Sequence, residues 1–303
     1  MNGDPETLRA TLRDLLALPE PRPAPVAEVQ KAAGKDAGSR VELRLDGKPA
    51  TLWLPEGEGP FPAVLYCHAH GGQYALGRRE VAEGARWLAA PYGPDLLGAG
   101  YVVLAMDMPG FGDRQSEGGE SALAKAGFWR GQPLFGQMVG DQLAAFDWLA
   151  GHDRIDGNRI ATLGMSMGGA LAMWVGALEF RVAAVAQLCM LAGIQGLIET
   201  GVHDRHGLYL IVPGLLRHAD MGQVASLIAP RPQFVAHGGV DPFTADPAGA
   251  QATLDLRLAY DATGQTDRLV TWIDQATGHK ETPAIHQAVL DFLDRALTKR
   301  TSC

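Results

Sequence analysis

The sequence predicts an α/β fold, a mostly parallel central sheet with helices on both faces. Six short apolar runs read as strands buried on both sides: AVLYC (63–67), YVVLAM (101–106), RIATLG (159–164), VAAVAQL (182–188), QFVAH (233–237) and RLVTWI (268–273). Segments of helical period alternate with them, and strand–helix–strand order implies right-handed crossovers between parallel strands. Size is the third observation. The chain has 303 residues, 47% of them hydrophobic, enough for one large domain with a substantial core.

Taken in order, residues 5–18 place Leu8, Leu12, Leu15 and Leu16 at helical spacing, and the four prolines of LPEPRPAP end that helix. Residues 1–39 therefore form an N-terminal helix and Pro-rich leader, expected to pack on the domain surface or to serve a contact in a homo-oligomer. The main domain is expected over 40–298. It opens with RVELRLDGKPATLWLP, which alternates on either side of Asp46-Gly47 as a β-hairpin does. Among the strands that follow, MVGDQLAAFDWLAGH, MGGALAMWVGALEF and ETPAIHQAVLDFLDRALTKR read as helices. Residues 112–135 and 190–226 fit no repeat unit. Both follow strand ends, where a lid or substrate pocket is built. Their Phe128, Trp129, Phe135 and Leu191 are candidates for pocket walls, with ordinary core positions as the competing reading.

Composition excludes several functions. A formal net charge of −8 leaves no electrostatic footprint for nucleic acid or an anionic membrane surface. No window approaches the roughly 18 apolar residues of a membrane span. The N-terminus carries acids early and no uninterrupted apolar stretch, so it does not read as a signal peptide. Cys67, Cys189 and Cys303 are too few and too scattered for a disulfide framework or a metal cluster. A soluble, cytoplasmic protein is the expectation.

GMSMGG carries the chemistry. It fits G-x-S-x-G, with Gly164 and Gly168 two residues either side of Ser166, an apolar run before it and a helical pattern after it. A turn that tight strains the serine backbone and presses the flanking positions together, so they must lack a Cβ. A plain helix N-cap is the alternative, and partners decide between the two. Downstream, Asp241 lies in a loop after QFVAH, where it serves either as a turn residue before Pro242 or as the acid that orients an imidazole. His279 lies between the last strand and the last helix, the place from which a base reaches the serine. His152, His237 and His286 fall in or beside regular elements, and the rival acid Asp274 closes a strand. An oxyanion hole needs two N–H groups. The residue after the serine, Met167, supplies one, and the loop HAHGG supplies the other through His70 or Gly71, with His70 better aligned to the strand end. His68 and His70 also read as two metal ligands, but no companion follows at ligand spacing, so no metal and no cofactor are expected.

These residues resemble the α/β-hydrolase superfamily over roughly residues 40–298. More narrowly the chain is similar to dienelactone-hydrolase-like and acetyl-xylan-esterase-like serine esterases. The likeness rests on HAHGG (68–72), AMDMPGFGDR (105–114), DQLAAFDWLAGHDRIDGNRIATLGMSMGGALA (141–172) and LIAPRPQFVAHGGVDPF (227–243). The resemblance implies an α/β-hydrolase fold with an inserted lid region and a Ser166–Asp241–His279 triad. Dienelactone hydrolases themselves use cysteine at the elbow, where this chain has serine. The expected activity is hydrolysis of small or short-acyl carboxylic esters through an acyl-enzyme. A non-catalytic binding protein and an acyltransferase with the same triad are the alternatives.

Overall fold

A computed structural model describes residues 4–33, 39–244 and 247–298. Cys303 and the last residues of the final helical segment lie outside these. Nine strands form one sheet: β1 (Ala27–Ala33), β2 (Ser39–Leu45), β3 (Lys48–Leu54), β4 (Phe61–Cys67), β5 (Val102–Met106), β6 (Ile155–Met165), β7 (Ala184–Leu188), β8 (Gln233–Gly238) and β9 (Leu269–Asp274). Their order is β1-β2-β3-β5-β4-β6-β7-β8-β9. The first three strands and the β3–β5 pair are antiparallel; every pair from β5 to β9 is parallel. This is an α/β-hydrolase fold. Asp46 and Gly47 both take positive φ, as the two-residue turn between β2 and β3 requires.

Ten α-helices flank the sheet among the described residues: α1 (Pro5–Leu15), α2 (Glu80–Glu83), α3 (Tyr92–Gly98), α4 (Glu120–Trp129), α5 (Leu134–Ala150), α6 (Met167–Leu178), α7 (Ile194–Glu199), α8 (Met221–Ser226), α9 (Ala248–Thr263) and α10 (Pro283–Leu297). Alternate residues of one strand serve opposite cores. In β4, Ala63, Leu65 and Cys67 face the layer built on α5, α6, α8 and α9. Val64 and Tyr66 face the layer of α2, α3 and α10. Burial on both faces is why these strands read as unbroken apolar runs.

The N-terminal segment differs from its expectation. Leu12 and Leu16 are fully buried and belong to the larger core. Arg9 and Arg13 donate to the carbonyls of Ala177 and Leu178, satisfying acceptors that α6 leaves open at its C-terminus. β1, which sequence alternation did not single out, pairs with β2 as the edge of the main sheet. The stretch expected as a surface leader thus completes the core and the sheet. No helix among the described residues is long and apolar enough to cross a membrane.

Candidate active site

β4, β6, β8 and β9 run parallel, so their carboxyl ends open on one edge of the sheet, where functional groups of open α/β sheets collect. Ser166 follows β6 directly and precedes the first residue of α6. Its backbone sits at φ 56°, ψ −120°, strained for any residue with a side chain. Two neighbours make the turn fit. A Cβ on Gly168 would stand 1.9 Å from the Cys67 carbonyl oxygen, and one on Gly164 would stand 2.4 Å from the Gly168 carbonyl. The Ser166 N–H donates to the Leu188 carbonyl at 2.8 Å, which holds the turn against the next strand.

Asp241 leaves the loop after β8 with its carboxylate buried, and Oδ1 accepts the Phe243 N–H at 2.9 Å. That is an Asx turn, and it leaves Oδ2 free to lie 2.8 Å from His279 Nδ1. The other ring nitrogen of His279, Nε2, lies 2.9 Å from Ser166 Oγ. A carboxylate only accepts, so Nδ1 carries the proton and Nε2 is left to accept from the serine hydroxyl. The Phe243 ring packs 4.6 Å from the imidazole, centroid to centroid, and limits its rotation. An arrangement of this kind activates a hydroxyl for attack on a carbonyl carbon. The rival acid Asp274 instead accepts the N–H of Ala276, and His286 lies between Glu281 and Asp95.

The HAHGG loop separates its two histidines. His68 is fully buried: its Nδ1–H donates to the Ala69 carbonyl and its Nε2 accepts the Met108 N–H. Burial pulls its pKa down, so it is a neutral structural group. His70 enters the pocket. Its Nδ1 accepts the Gly72 N–H at 3.1 Å, so Nε2 carries the proton and donates to Glu120 at 2.5 Å. The Ala69 N–H is taken by buried Glu80 at 3.0 Å. Met167 opens α6, where first-turn N–H groups have no partner within the helix.

A cavity of about 630 Å³ lies over Ser166 and His279, walled by Tyr74, Trp87, Met190, Tyr209, Leu210 and Phe243. None of the four walls expected from sequence lines it. Trp129 is 91% exposed at the C-terminal end of α4, with Phe128 also outward. Phe135 is fully buried one layer down, edge-on to Trp174 at 5.5 Å. Leu191 is likewise buried in the core. The insertions do contribute, but through other residues, Glu120 from the first and Met190, Arg205, Tyr209 and Leu210 from the second, which no sequence pattern separates from surface and core. Glu120 accepts from His70, from the Tyr74 hydroxyl at 3.5 Å and from the Tyr209 N–H at 3.3 Å, so one carboxylate ties both insertions to the HAHGG loop. Burial opposes its charge, but those hydrogen bonds and the nearby His70 prevail and lower its pKa.

One cluster has the composition of a metal site: atoms of Cys189, Asp241 and His279 lie within 4.8 Å of one another. Asp241 and His279 are already bonded to each other, and burial pushes the Cys189 thiol up and keeps it protonated. The set fits a hydrogen-bonded pair with a packed thiol better than it fits an ion.

Fold and site together define a hydrolytic enzyme of the α/β-hydrolase superfamily. Residues 48–284 match the family model described as X-Pro dipeptidyl-peptidase (S15 family), and the chain belongs to that family. It is 36% identical over 298 residues to a protein of Bacillus subtilis (strain 168) named "Putative hydrolase YtaP", covering 96% of this chain and 99% of the relative. Solved structures share the fold, two of them as follows. One is a glucuronoyl esterase from Solibacter usitatus (TM-score 0.71, 16% identity, 98% of this chain and 93% of that one). The other is acetyl xylan esterase 1 from Thermoanaerobacterium sp. JW/SL YS485 (TM-score 0.66, 17% identity, 97% and 94%).

Proposed function

We propose that the protein is a serine hydrolase of carboxylic esters, acting through an acyl-enzyme. The observation that carries this reading is His279, bonded at once to Asp241 Oδ2 and to Ser166 Oγ. In the proposed cycle Ser166 Oγ bonds to the acyl carbon while its proton passes to His279 Nε2. Asp241 holds the imidazole in the receiving tautomer and stabilises the imidazolium. The carbonyl electrons move onto oxygen, held by the N–H groups of Met167 and His70, each worth about 3 kcal/mol in the transition state. The Ala69 N–H is already used by Glu80, so the second donor falls to His70 or to Gly71, with His70 the better aligned to the strand end. Collapse expels the alcohol, which takes the proton from His279. Water then attacks the acyl-enzyme, gives its proton to His279, and the acid leaves as Ser166 is restored. The substrates proposed are small or short-acyl esters, for which a pocket of about 630 Å³ leaves ample room.

Intact mass after treatment with an aryl fluorophosphonate tests the nucleophile, with p-nitrophenyl ester hydrolysis read beside it. Wild type is expected to gain one adduct and to hydrolyse short-acyl esters fastest; Ser166→Ala is expected to do neither. An adduct on the variant would sink the assignment. The family match favours a second reading, release of X-Pro dipeptides, which turnover of an X-Pro p-nitroanilide and no ester would establish.

A further inference from the structure

We infer that this pocket takes esters bearing an anionic group, a carboxylate beside the ester to be cleaved. The inference rests on the esterase reading above. The observation behind it is a reversal of charge at the mouth. The chain holds 34 acidic residues against 26 lysines and arginines, yet the pocket is lined by three cations, Arg86, Arg205 and Lys280, and one carboxylate, Glu120. All three cations are exposed. Among the described residues none of the three forms an ion pair. Arg86 lies 6.0 Å from the centroid of the Trp87 ring, and Arg205 reaches only the Pro242 carbonyl at 3.4 Å. The Glu120 carboxylate offsets one of these charges and leaves the positive excess standing, and its oxygens are bonded to His70, Tyr74 and Tyr209 and to none of the three cations.

The three cations come from separate segments that meet at the site. Lys280 adjoins His279. Arg205 adjoins His206, whose ring stands 5.8 Å from the Phe243 ring that packs on His279. Arg86 adjoins Trp87, whose carbonyl accepts the N–H of Glu281 from the His279 loop. His206 adds no fourth charge, because burial holds its pKa below the ordinary value. Cations on the rim of a concave, largely apolar cleft focus potential into it and raise the local concentration of anions. An ammonium-bearing ester would meet the opposite field.

The test compares esters that differ in charge at nearly constant shape. Mono-p-nitrophenyl glutarate is set against p-nitrophenyl pentanoate, which has a methyl where glutarate has its carboxylate. The acetyl ester of 4-hydroxybenzoate is set against that of 4-hydroxybenzamide, so the pairs place the anion on the acyl and the alcohol side. In at least one pair the anionic member is expected to have about tenfold higher kcat/KM at low ionic strength, falling several-fold in about 0.5 M salt. The combined Arg86→Gln, Arg205→Gln, Lys280→Gln variant is expected to bring that ratio to about one. The ratio is read on one sample, so partial misfolding cancels. Neutral esters turned over with ratios near one in both pairs would overturn this inference and leave the esterase reading standing. A ratio that survives the triple variant would overturn it too, and no turnover of any ester would overturn both.

Discussion

Ser166 at φ 56° is held by its surroundings rather than by its own preference, and the glycines two residues away make that conformation reachable. Gly168 is the more constrained of the pair, because its missing Cβ leaves room for the Cys67 carbonyl that ends β4. A Gly168→Ala change has no flexible side chain to push aside, only backbone. It is expected to cost at least about 3 kcal/mol and to open the elbow. Thermal melting and fluorophosphonate labelling measure both effects. A variant that melts and labels like wild type would show that the elbow tolerates a Cβ. The same scale explains why Asp241 was readable in two ways. Its two oxygens divide between the two places, one accepting the Phe243 N–H of the Asx turn and one lying 2.8 Å from His279 Nδ1.

At the scale of elements, the helix that follows Ser166 is held at both ends. α6 begins at the elbow, and its last carbonyls are capped by arginines of α1, whose Leu12 is fully buried beside it. The hydrophobic spacing of α1 was plain in sequence, but the partner of its apolar face was not. Truncating Leu12 to alanine leaves a cavity in the core and is expected to cost about 3 kcal/mol. Chemical denaturation should show a lower midpoint with an unchanged slope, and ester turnover by the folded enzyme should stay near wild type. A midpoint equal to that of wild type would mean that α1 is a dispensable attachment.

Across the whole molecule, a buried polar network joins the loop after β4 to the loop after β9. Glu80 accepts from Tyr66, Trp87 and the Ala69 N–H, while Glu281 accepts from the Ala89 N–H, bonds Tyr92 and lies 3.1 Å from His286. Burial dominates at Glu80, reinforced by the Glu281 carboxylate, and its pKa is pushed up from 4.5 to about 7 against the pull of its hydrogen bonds. A carboxyl whose folded pKa is raised favours the folded state most while it is protonated. Its contribution is complete below about pH 4.5 and is lost as pH rises through about 7, a swing of up to about 3 kcal/mol. Glu80→Gln cannot ionise. Wild type is therefore expected to lose stability relative to Glu80→Gln between about pH 5.5 and pH 8, read as the difference in melting temperature. A constant difference across that range would mean that Glu80 stays charged throughout.

Local chemistry determined what the sequence could reveal alone. Strands buried on both faces must be apolar throughout, a nucleophile elbow must be flanked by glycine, and the acid and base must sit in loops at strand ends in chain order. Each is a constraint on neighbouring residues, so the parallel sheet stood out in short stretches, and so did Ser166, Asp241 and His279 as candidates, which the structure brings into one hydrogen-bonded row. The pocket obeys no such rule. A wall residue need only be apolar and face inward, which is equally true of core, and so Phe135 and Leu191 looked no different from Tyr209 and Phe243. The support of His70 by Glu120 joins residues 50 apart, and the three cations at the mouth come from segments nearly 200 residues apart. Only the folding of the sheet brings such groups together, because their interactions act through space and leave no period or spacing along the chain.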